Sequence, residues 1–279
     1  MRRRAQPWLG TLVEVTVADG RPESQADAAI DAAFAAIARV HGLMSFHESG
    51  SDVSRFNGAA PGAMLQVDPW TWQVLKLAAA IAEASGGAFN VACAPQLVAW
   101  RLLPAPLRGR AHFVPGVSVY SCERDGRVRK LAPGWIDLGG IAKGFAVDRA
   151  ADAMRDAGAL SGCINAGGDL RAFGPQDFPV LVRAPQDPAQ YCEAIQLRNQ
   201  AIATSSCLFS RSAAAHGVVS ALVDGRDGAP LTEAISVSVR AASCAVADAL
   251  TKVVLATKDT GHHAVAAFDA HALLHGPCS

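Results

Sequence analysis

Charge of either sign is in balance: 25 Lys+Arg stand against 25 Asp+Glu, so the formal net charge is zero. A chain with no basic excess carries no electrostatic footprint for nucleic acid or for an acidic membrane surface. No apolar run reaches the length of a membrane span. Arg2-Arg3-Arg4 could open an export signal, but the "AQPWLG" that follows supplies no hydrophobic segment for one. The expected location is therefore cytoplasmic as the sequence stands, or exported if an upstream leader precedes it. The three arginines read as a solvated terminus rather than a binding patch.

The seven cysteines (Cys93, Cys122, Cys163, Cys192, Cys207, Cys244 and Cys278) form no CxxC pair and no Cys/His cluster at zinc spacing. Most of them read as small buried hydrophobes in a reducing compartment. The eight histidines are not at metal spacing either, and each reads as a surface residue. GxSxG, HExxH, GxGxxG and the Walker pattern are all absent. There is no repeat, no low-complexity tract and no convincing linker.

What remains is 279 residues, 51% hydrophobic and 18% charged, enough for one large domain or two small ones. "TLVEVTV" (Thr11–Val17) alternates and is a strand, and an alanine-rich helix follows from Ser24 to about Val40. Gly42 to Asn57 is polar and aperiodic, hence a loop. A helix runs from Pro69 to Ala84 and stops at Gly86-Gly87. Strands are expected at "VSVYSC", "VRKLA" and "WIDL", with Asp125-Gly126 as a hairpin turn. A helix from Ile141 to about Ala157 precedes "CINAGG", a strand entering a turn. Later strands fall near Val180–Arg183, Ala194–Leu197, Val218–Val223 and Ile235–Arg240. A helix from Ser243 to about Ala256 and a last strand, "AVAAF", complete the order. Leu103 to Gly116 is rich in Pro and Gly, either a boundary or an excursion loop within one domain. Hairpin neighbours with interspersed helices favour an α+β fold over a doubly wound sheet.

Four segments could carry chemistry. In "WIDLGGIAKGFAVDRA" a strand ends at Asp137, two glycines follow and a helix starts, with Lys143 in its first turn. Backbone N–H groups at such a terminus suit a diphosphate, though glycines that only relieve backbone geometry would look the same. "CINAGGDLRAFG" repeats the theme around Gly167-Gly168-Asp169, and "AIATSSCLFSR" ends a strand in Thr204-Ser205-Ser206. Those hydroxyls suit phosphate or ribose, or are merely turn residues. In "CAVADALTKVVL" only Asp248, Thr251 and Lys252 interrupt an apolar helix. At about 100° per residue the three share one narrow face.

Taken in order, these segments resemble the ApbE family, the FAD:protein FMN transferases. "WLGTLVEVTV", "MSFHESGSDVSRFN", "GGAFNVACAPQLVAW", "IDLGGIAKGFAVDRA", "NAGGDLRAFG", "ATSS" and "VADALTK" are similar to that family's motifs from about Leu9 to Leu255. The resemblance implies a single α+β domain, residues 1–279, of mixed or antiparallel sheet with packed helices, binding FAD in a cleft with Mg²⁺ at its diphosphate. It also implies transfer of the FMN half to a Thr or Ser hydroxyl in the flavinylation motif of an acceptor protein, with release of AMP. By motif, Leu9, His47, Ala88, Phe89, Asn90, Asp137, Lys143, Thr204 and Leu222 would bind the flavin nucleotide. Gly140 (through its carbonyl), Asp248 and Thr251 would hold the metal, and Asp248 and His216 would be catalytic.

The departures from the pattern matter. Leu9 replaces the family's Met, His47 an aromatic Tyr, and Asn90 an Asp. Ala221 stands where the family has a His, which leaves His216 upstream as the substitute. Lys252 stands where a metal-holding Thr is expected. Either Lys252 swings away and Thr251 supplies the hydroxyl, or Lys252 pairs with Asp248 and takes the cation's place beside the diphosphate; an ordinary i,i+4 pair on a solvated face is the third reading. Two other functions fit these losses: an FAD-binding protein that transfers nothing, and an FAD diphosphate hydrolase.

Overall fold

In the second strand Val13, Val15 and Val17 are buried while Leu12 and Glu14 are not, the period-two pattern of a sheet with two different faces. The computed structural model describes residues 1–106, 111–185, 187, 189–208, 211–214 and 217–276. The elements run β1 (Arg2–Trp8), β2 (Thr11–Val17), α1 (Glu23–Met44), α2 (Asp52–Gly58), β3 (Met64–Gln66) and α3 (Pro69–Ala84). A single 3₁₀ turn (Val91–Cys93) leads into α4 (Ala94–Ala99), β4 (Tyr120–Cys122), β5 (Arg127–Lys130) and α5 (Ala142–Asp156). Then come β6 (Gly162–Ala166), β7 (Asp169–Phe173), β8 (Phe178–Arg183), β9 (Tyr191–Leu197) and β10 (Ala201–Ser206). The chain continues through β11 (Arg211–Ala214), β12 (Gly217–Ser220), β13 (Ser236–Ala241), α6 (Cys244–Thr257), α7 (His263–Ala267) and β14 (His271–His275).

Seven strands form the central sheet in the order β1-β2-β6-β7-β10-β13-β14, every neighbouring pair antiparallel. One face carries a helical layer in which α1 packs on α5, α5 on α6, and α6 on β10 and β13. The β8–β9 hairpin covers part of the other face, where Val180, Val182, Ile195 and Leu197 meet Cys163, Ala172 and Ile202. β3, β5 and β4 make a separate small sheet. The fold is α+β, as expected. No helix among the described residues is long and apolar enough to cross a membrane.

The Pro69–Ala84 helix is found at its expected bounds, begun by the Asp68 side chain accepting from Trp70 N–H and ended where Gly86 and Gly87 take φ of 58° and 85°. Other boundaries differ from expectation, each for a local reason. The N-terminal arginines are solvent-accessible, as expected, but belong to a strand rather than to a loose terminus. They lie in β1, fully paired with β2, and Arg2 and Arg4 reach Asp27 and Asp31 on α1. The first helix starts at Glu23 with Pro22 in front of it, and continues to Met44, because Val40 and Met44 still face the core. Within the expected loop, Ser51 caps a two-turn helix by accepting from Ser54 N–H at 3.0 Å, and Val53 and Phe56 bury its inner side.

"WIDL" is extended but joins no strand. The buried Asn57 amide donates to Ile136 C=O at 2.9 Å and accepts from Ile136 N–H at 2.8 Å, so a side chain takes the place of a neighbouring strand. "AVAAF" is not a strand but mostly the short helix α7, whose Ala264 and Val265 are buried; the last strand is β14, further on. Of the cysteines, Cys93, Cys163, Cys207 and Cys244 are buried, Cys192 is exposed, and Cys278 lies outside the described residues.

Candidate functional site

The sheet ends in glycines where its face must come close to something. Gly167 and Gly168, between β6 and β7, take φ of 64° and 104°, and a Cβ on Gly167 would lie 2.5 Å from Thr11 Oγ1. Beside that turn, β10 ends in Thr204, Ser205 and Ser206, and the loop from Asp137 to Gly140 leads into α5. Lys252 of α6 closes the floor. Together these segments bound a cavity of about 960 Å³, whose lining also includes Phe89, Asn90, Cys93 and Leu222. That volume lies at the upper end of small-molecule sites, about 300–1,000 Å³.

Under the floor lies a charge cluster. Lys143 bonds to Asp169, Lys252 bonds to Asp248 Oδ1, and Lys143 Nζ lies 3.7 Å from the same Asp248 oxygen. Lys252 Nζ also donates to Asp248 C=O at 2.9 Å, and the second carboxylate oxygen of Asp248 accepts from Gly144 N–H at 3.1 Å. The depths differ. Asp248 is 0% and Asp169 1% exposed, whereas 34% of the Lys143 side chain and 9% of the Lys252 side chain remain accessible. Both lysines line the cavity, whereas the two buried aspartates do not. The cluster is neutral as a whole, with its positive end toward the cavity.

Burial works against the charge on Lys143, but Asp248 and Asp169 outweigh it and hold its pKa above the usual lysine value. Burial and the neighbouring Asp248 push the Asp169 carboxyl up, against the pull of the two lysines. On the cavity wall, burial also raises Asp137, opposed by the N–H groups of Gly139 and Leu138 and by His47. Burial pushes the Cys93 thiol up to about 12, helped by Asp224 and Asp137.

The close helix crossing that sets this cluster depends on one residue. A Cβ on Gly144 would lie 2.3 Å from Cys244 O, so only glycine lets α5 touch the start of α6. Asp148, one turn further along α5, accepts from Cys244 N–H, Ala245 N–H and Ser243 Oγ–H and also pairs with Arg171. It thereby caps α6 and fixes the position of Asp248 and Lys252 along it.

Residues 9–274 match the sequence profile of the ApbE family. The chain belongs to the ApbE family. The fold agrees: the crystal structure of the ApbE protein of Thermotoga maritima superposes with a TM-score of 0.85 at 26% identity, covering 98% of this chain and 93% of that one. The apo flavinyl transferase ApbE of Pseudomonas stutzeri gives 0.80 at 20% identity over 97% and 89%, a likeness of fold. A protein of Treponema pallidum (strain Nichols) named FAD:protein FMN transferase is 29% identical over 188 residues, 61% of this chain. This chain spans about half of that relative, 51% of its length. A Vibrio cholerae protein of the same name is 27% identical over 230 residues, 76% of this chain and 68% of its own length.

Against the ApbE motifs, the expected nucleotide residues divide. Phe89, Asn90, Asp137, Lys143, Thr204 and Leu222 line the cavity, as does Gly140. Ala88 is fully buried behind Phe89, and Leu9 sits in the β1–β2 turn at φ 55°, packed on the core rather than on the cavity. His47 lines a shallower recess with Arg101 and Pro104; Leu102 and Leu103 border both that recess and the main cavity. His216 and residues 107–110 of the expected excursion loop lie outside the described residues. Asp248, expected as a metal ligand and catalytic residue, lies beneath the two lysines and is paired with both. Ser205 and Ser206, whose hydroxyls suit phosphate or ribose in the sequence, line the cavity, and so does Thr11, which reads there as an ordinary strand residue; Asp169, of the Gly-Gly-Asp segment, joins the site through Lys143.

The Mg²⁺ that the family implies does not fit the donors present. Such an ion takes oxygen ligands at about 2.0–2.1 Å in near-octahedral order. Asp248 gives one oxygen to the Lys252 ammonium and the other to Gly144 N–H. Thr251 Oγ1 donates to Asp248 C=O at 2.6 Å and shares a hydrogen bond with Ser205 Oγ at 2.8 Å. Gly140 adjoins the lysine: a Cβ built there would lie 3.7 Å from Lys252 Cε. Mg²⁺ and an ammonium about 4 Å apart repel by about 8 kcal/mol at an effective dielectric near 20. Among the described residues no group of three or more His, Cys, Asp or Glu could hold a metal elsewhere.

Proposed function

We propose that this chain is an FAD:protein FMN transferase. A Thr or Ser hydroxyl of an acceptor protein attacks the FMN-side phosphorus of FAD. The bond from that phosphorus to the bridging oxygen breaks, AMP leaves with the oxygen, and a phosphoester joins FMN to the acceptor. The proton of the hydroxyl passes to a base, for which His216 is the candidate.

The observation that carries this reading is the cavity floor. Two lysines, Lys143 and Lys252, line a space large enough for a dinucleotide, and Thr204, Ser205 and Ser206 line it with them. Fixed positive charge at the diphosphate is what phosphoryl transfer needs, since charge shifts toward the bridging oxygen as the bond breaks. Asp248 then acts as a positioning residue: it holds both lysines and Gly144 at the start of α5. Phe89 and Leu222 offer apolar surface for a ring system, and Asp137 and Asn90 offer polar groups for its edges.

The test is an incubation of the purified chain with FAD, Mg²⁺ and an acceptor carrying a Thr/Ser flavinylation motif. Covalent flavin on the acceptor is read by in-gel fluorescence, and AMP by chromatography. Flavin on the acceptor with equimolar AMP supports transfer. AMP and free FMN without labelling would make the chain a hydrolase. Tight FAD with neither product would leave a binding protein, and absence of FAD binding would end all three readings.

A further inference from the structure

We infer that the ammonium group of Lys252 stands in place of a divalent cation at this site, so that FAD binding and transfer in this chain need no metal. The inference rests on the FAD reading above and assigns the charge that opposes the diphosphate. Four observations carry it. Lys252 is bonded to the carboxylate and to the carbonyl of Asp248, within its own helix turn. Those two bonds use two of the three donors of an ammonium, and the third is left for the cavity that Lys252 lines. The oxygens that a metal would take from Asp248 and Thr251 are already occupied, by Lys252, Gly144 N–H and Ser205. Finally, the cluster of Lys143, Lys252, Asp169 and Asp248 is balanced at two charges of each sign. A divalent ion added to it would leave a nearly buried excess of two positive charges before any ligand arrived.

Lys252 stays attached to the floor by packing as well as by charge. Its side chain is 9% accessible, and it rises from a helix whose neighbours Leu250, Val253 and Val254 are in the core. An outward swing would strip Asp248 of its closest counter-charge while keeping that carboxylate buried, which is the costly way to break such a pair. Lys143 supplies the second cation from α5, 3.7 Å from the same carboxylate. The two lysines therefore present a fixed pair of positive groups from two different helices.

The experiment compares FAD affinity by isothermal titration after exhaustive EDTA treatment and again in excess Mg²⁺. For the wild-type chain the two dissociation constants are expected to agree within about twofold. Lys252→Thr should weaken FAD binding about ten- to hundredfold in EDTA, the usual effect of losing one charged hydrogen-bond donor. Added Mg²⁺ should restore part of that loss, because the carboxylate of Asp248 is then open to a metal. Transfer to the acceptor should likewise proceed in EDTA for the wild type. Wild-type FAD binding that appears only with Mg²⁺ overturns the inference, and so does Lys252→Thr binding FAD in EDTA as tightly as wild type. If Lys252→Thr does not fold by circular dichroism, the wild-type comparison decides alone. A wild type that binds no FAD in either condition refutes the FAD reading itself, and this inference with it.

Discussion

Gly144→Ala separates local from tertiary control of this site, because the two give opposite signs. Residue 144 lies in the first turn of α5, and helix propensity alone favours Ala over Gly by about 1 kcal/mol. The added Cβ would meet Cys244 O at 2.3 Å, Cys244 C at 2.6 Å and Ala245 N at 2.8 Å. All three are backbone atoms that no rotamer change can move. Relief requires α5 and α6 to part by about 1 Å, an overpacking strain of about 1–3 kcal/mol. The same movement stretches the bonds from Cys244 N–H and Ala245 N–H to Asp148 (2.9 and 3.0 Å) and from Gly144 N–H to Asp248 (3.1 Å). Hydrogen bonds to charged groups contribute about 1.5–3 kcal/mol each, and partial loss of two would add roughly 3 kcal/mol. After the propensity gain, the expected net loss is about 3–5 kcal/mol, a large share of the stability of a domain. Urea unfolding followed by tryptophan fluorescence and far-UV circular dichroism measures it. The FAD affinity of the folded fraction should fall as well, because Lys143 and Lys252 are carried on the two separated helices. A variant as stable as wild type, or more so, would refute the argument that the Gly144 crossing sets the site.

Three further outcomes follow from the same geometry. Asn57→Ala leaves the buried N–H and C=O of Ile136 without partners, one residue before Asp137. It should cost about 2–4 kcal/mol in a urea titration and weaken FAD binding, whereas a change below about 1 kcal/mol would mean that the "WIDL" segment is held by packing alone. Asp19 is held down to about 2 by its bonds with Arg21 and with Leu160 N–H. A lowered carboxyl pKa stabilises above the unfolded value near 4, and that stabilisation is lost as pH falls toward 2. Asp19→Asn should therefore cost about 1 kcal/mol at pH 7 and almost nothing at pH 2, and equal destabilisation at both values would contradict the linkage. Cys93 lines the cavity, yet burial keeps its thiol protonated up to about pH 12. Peptide mapping after iodoacetamide at pH 8 should find it unmodified in the folded chain and modified in urea; rapid labelling of the folded chain would show a reactive thiolate instead.

Much of the fold was legible because its signals are local. The alternation of Val13, Val15 and Val17, the Pro69 start and Gly86-Gly87 stop of α3, and the Gly-Gly turn at 167–168 each follow from a few adjacent residues. The misread segments are those whose structure is decided at a distance. "WIDL" has strand composition, but the backbone of Ile136 is paired by the side chain of Asn57, 79 residues away, and Asp137 N–H by Val91 C=O. Arg2-Arg3-Arg4 reads as a tail until α1 brings Asp27 and Asp31 over β1. "AVAAF" is too short for its period to distinguish strand from helix, and only the burial of Ala264 and Val265, in an element packed against α3, α6 and β14, decides for helix. In the site, motif order pointed to seven of the residues that line the cavity, while Asp169 joins the cluster beneath them only through Lys143, 26 positions earlier.

The polar stripe on α6 shows why composition could find the feature but not its meaning. A carboxylate, a hydroxyl and an ammonium on one face of an apolar helix must all be satisfied where they are buried, and each is. Asp248 faces Lys252, Lys143 and Gly144 N–H, Thr251 faces Ser205, and Lys252 faces Asp248 and the cavity. A diffusible cation binds such a carboxylate only at sufficient concentration and can be removed by a chelator. An ammonium four residues along the same helix is always present, at the cost of half the charge. Electrostatic help of this kind depends on groups that are already in place when charge develops, so the rigidity of the mount matters as much as its charge. Here the mount is the Gly144 crossing, the Asp148 cap and the i,i+4 pair, and the three together fix where one positive charge meets the cavity.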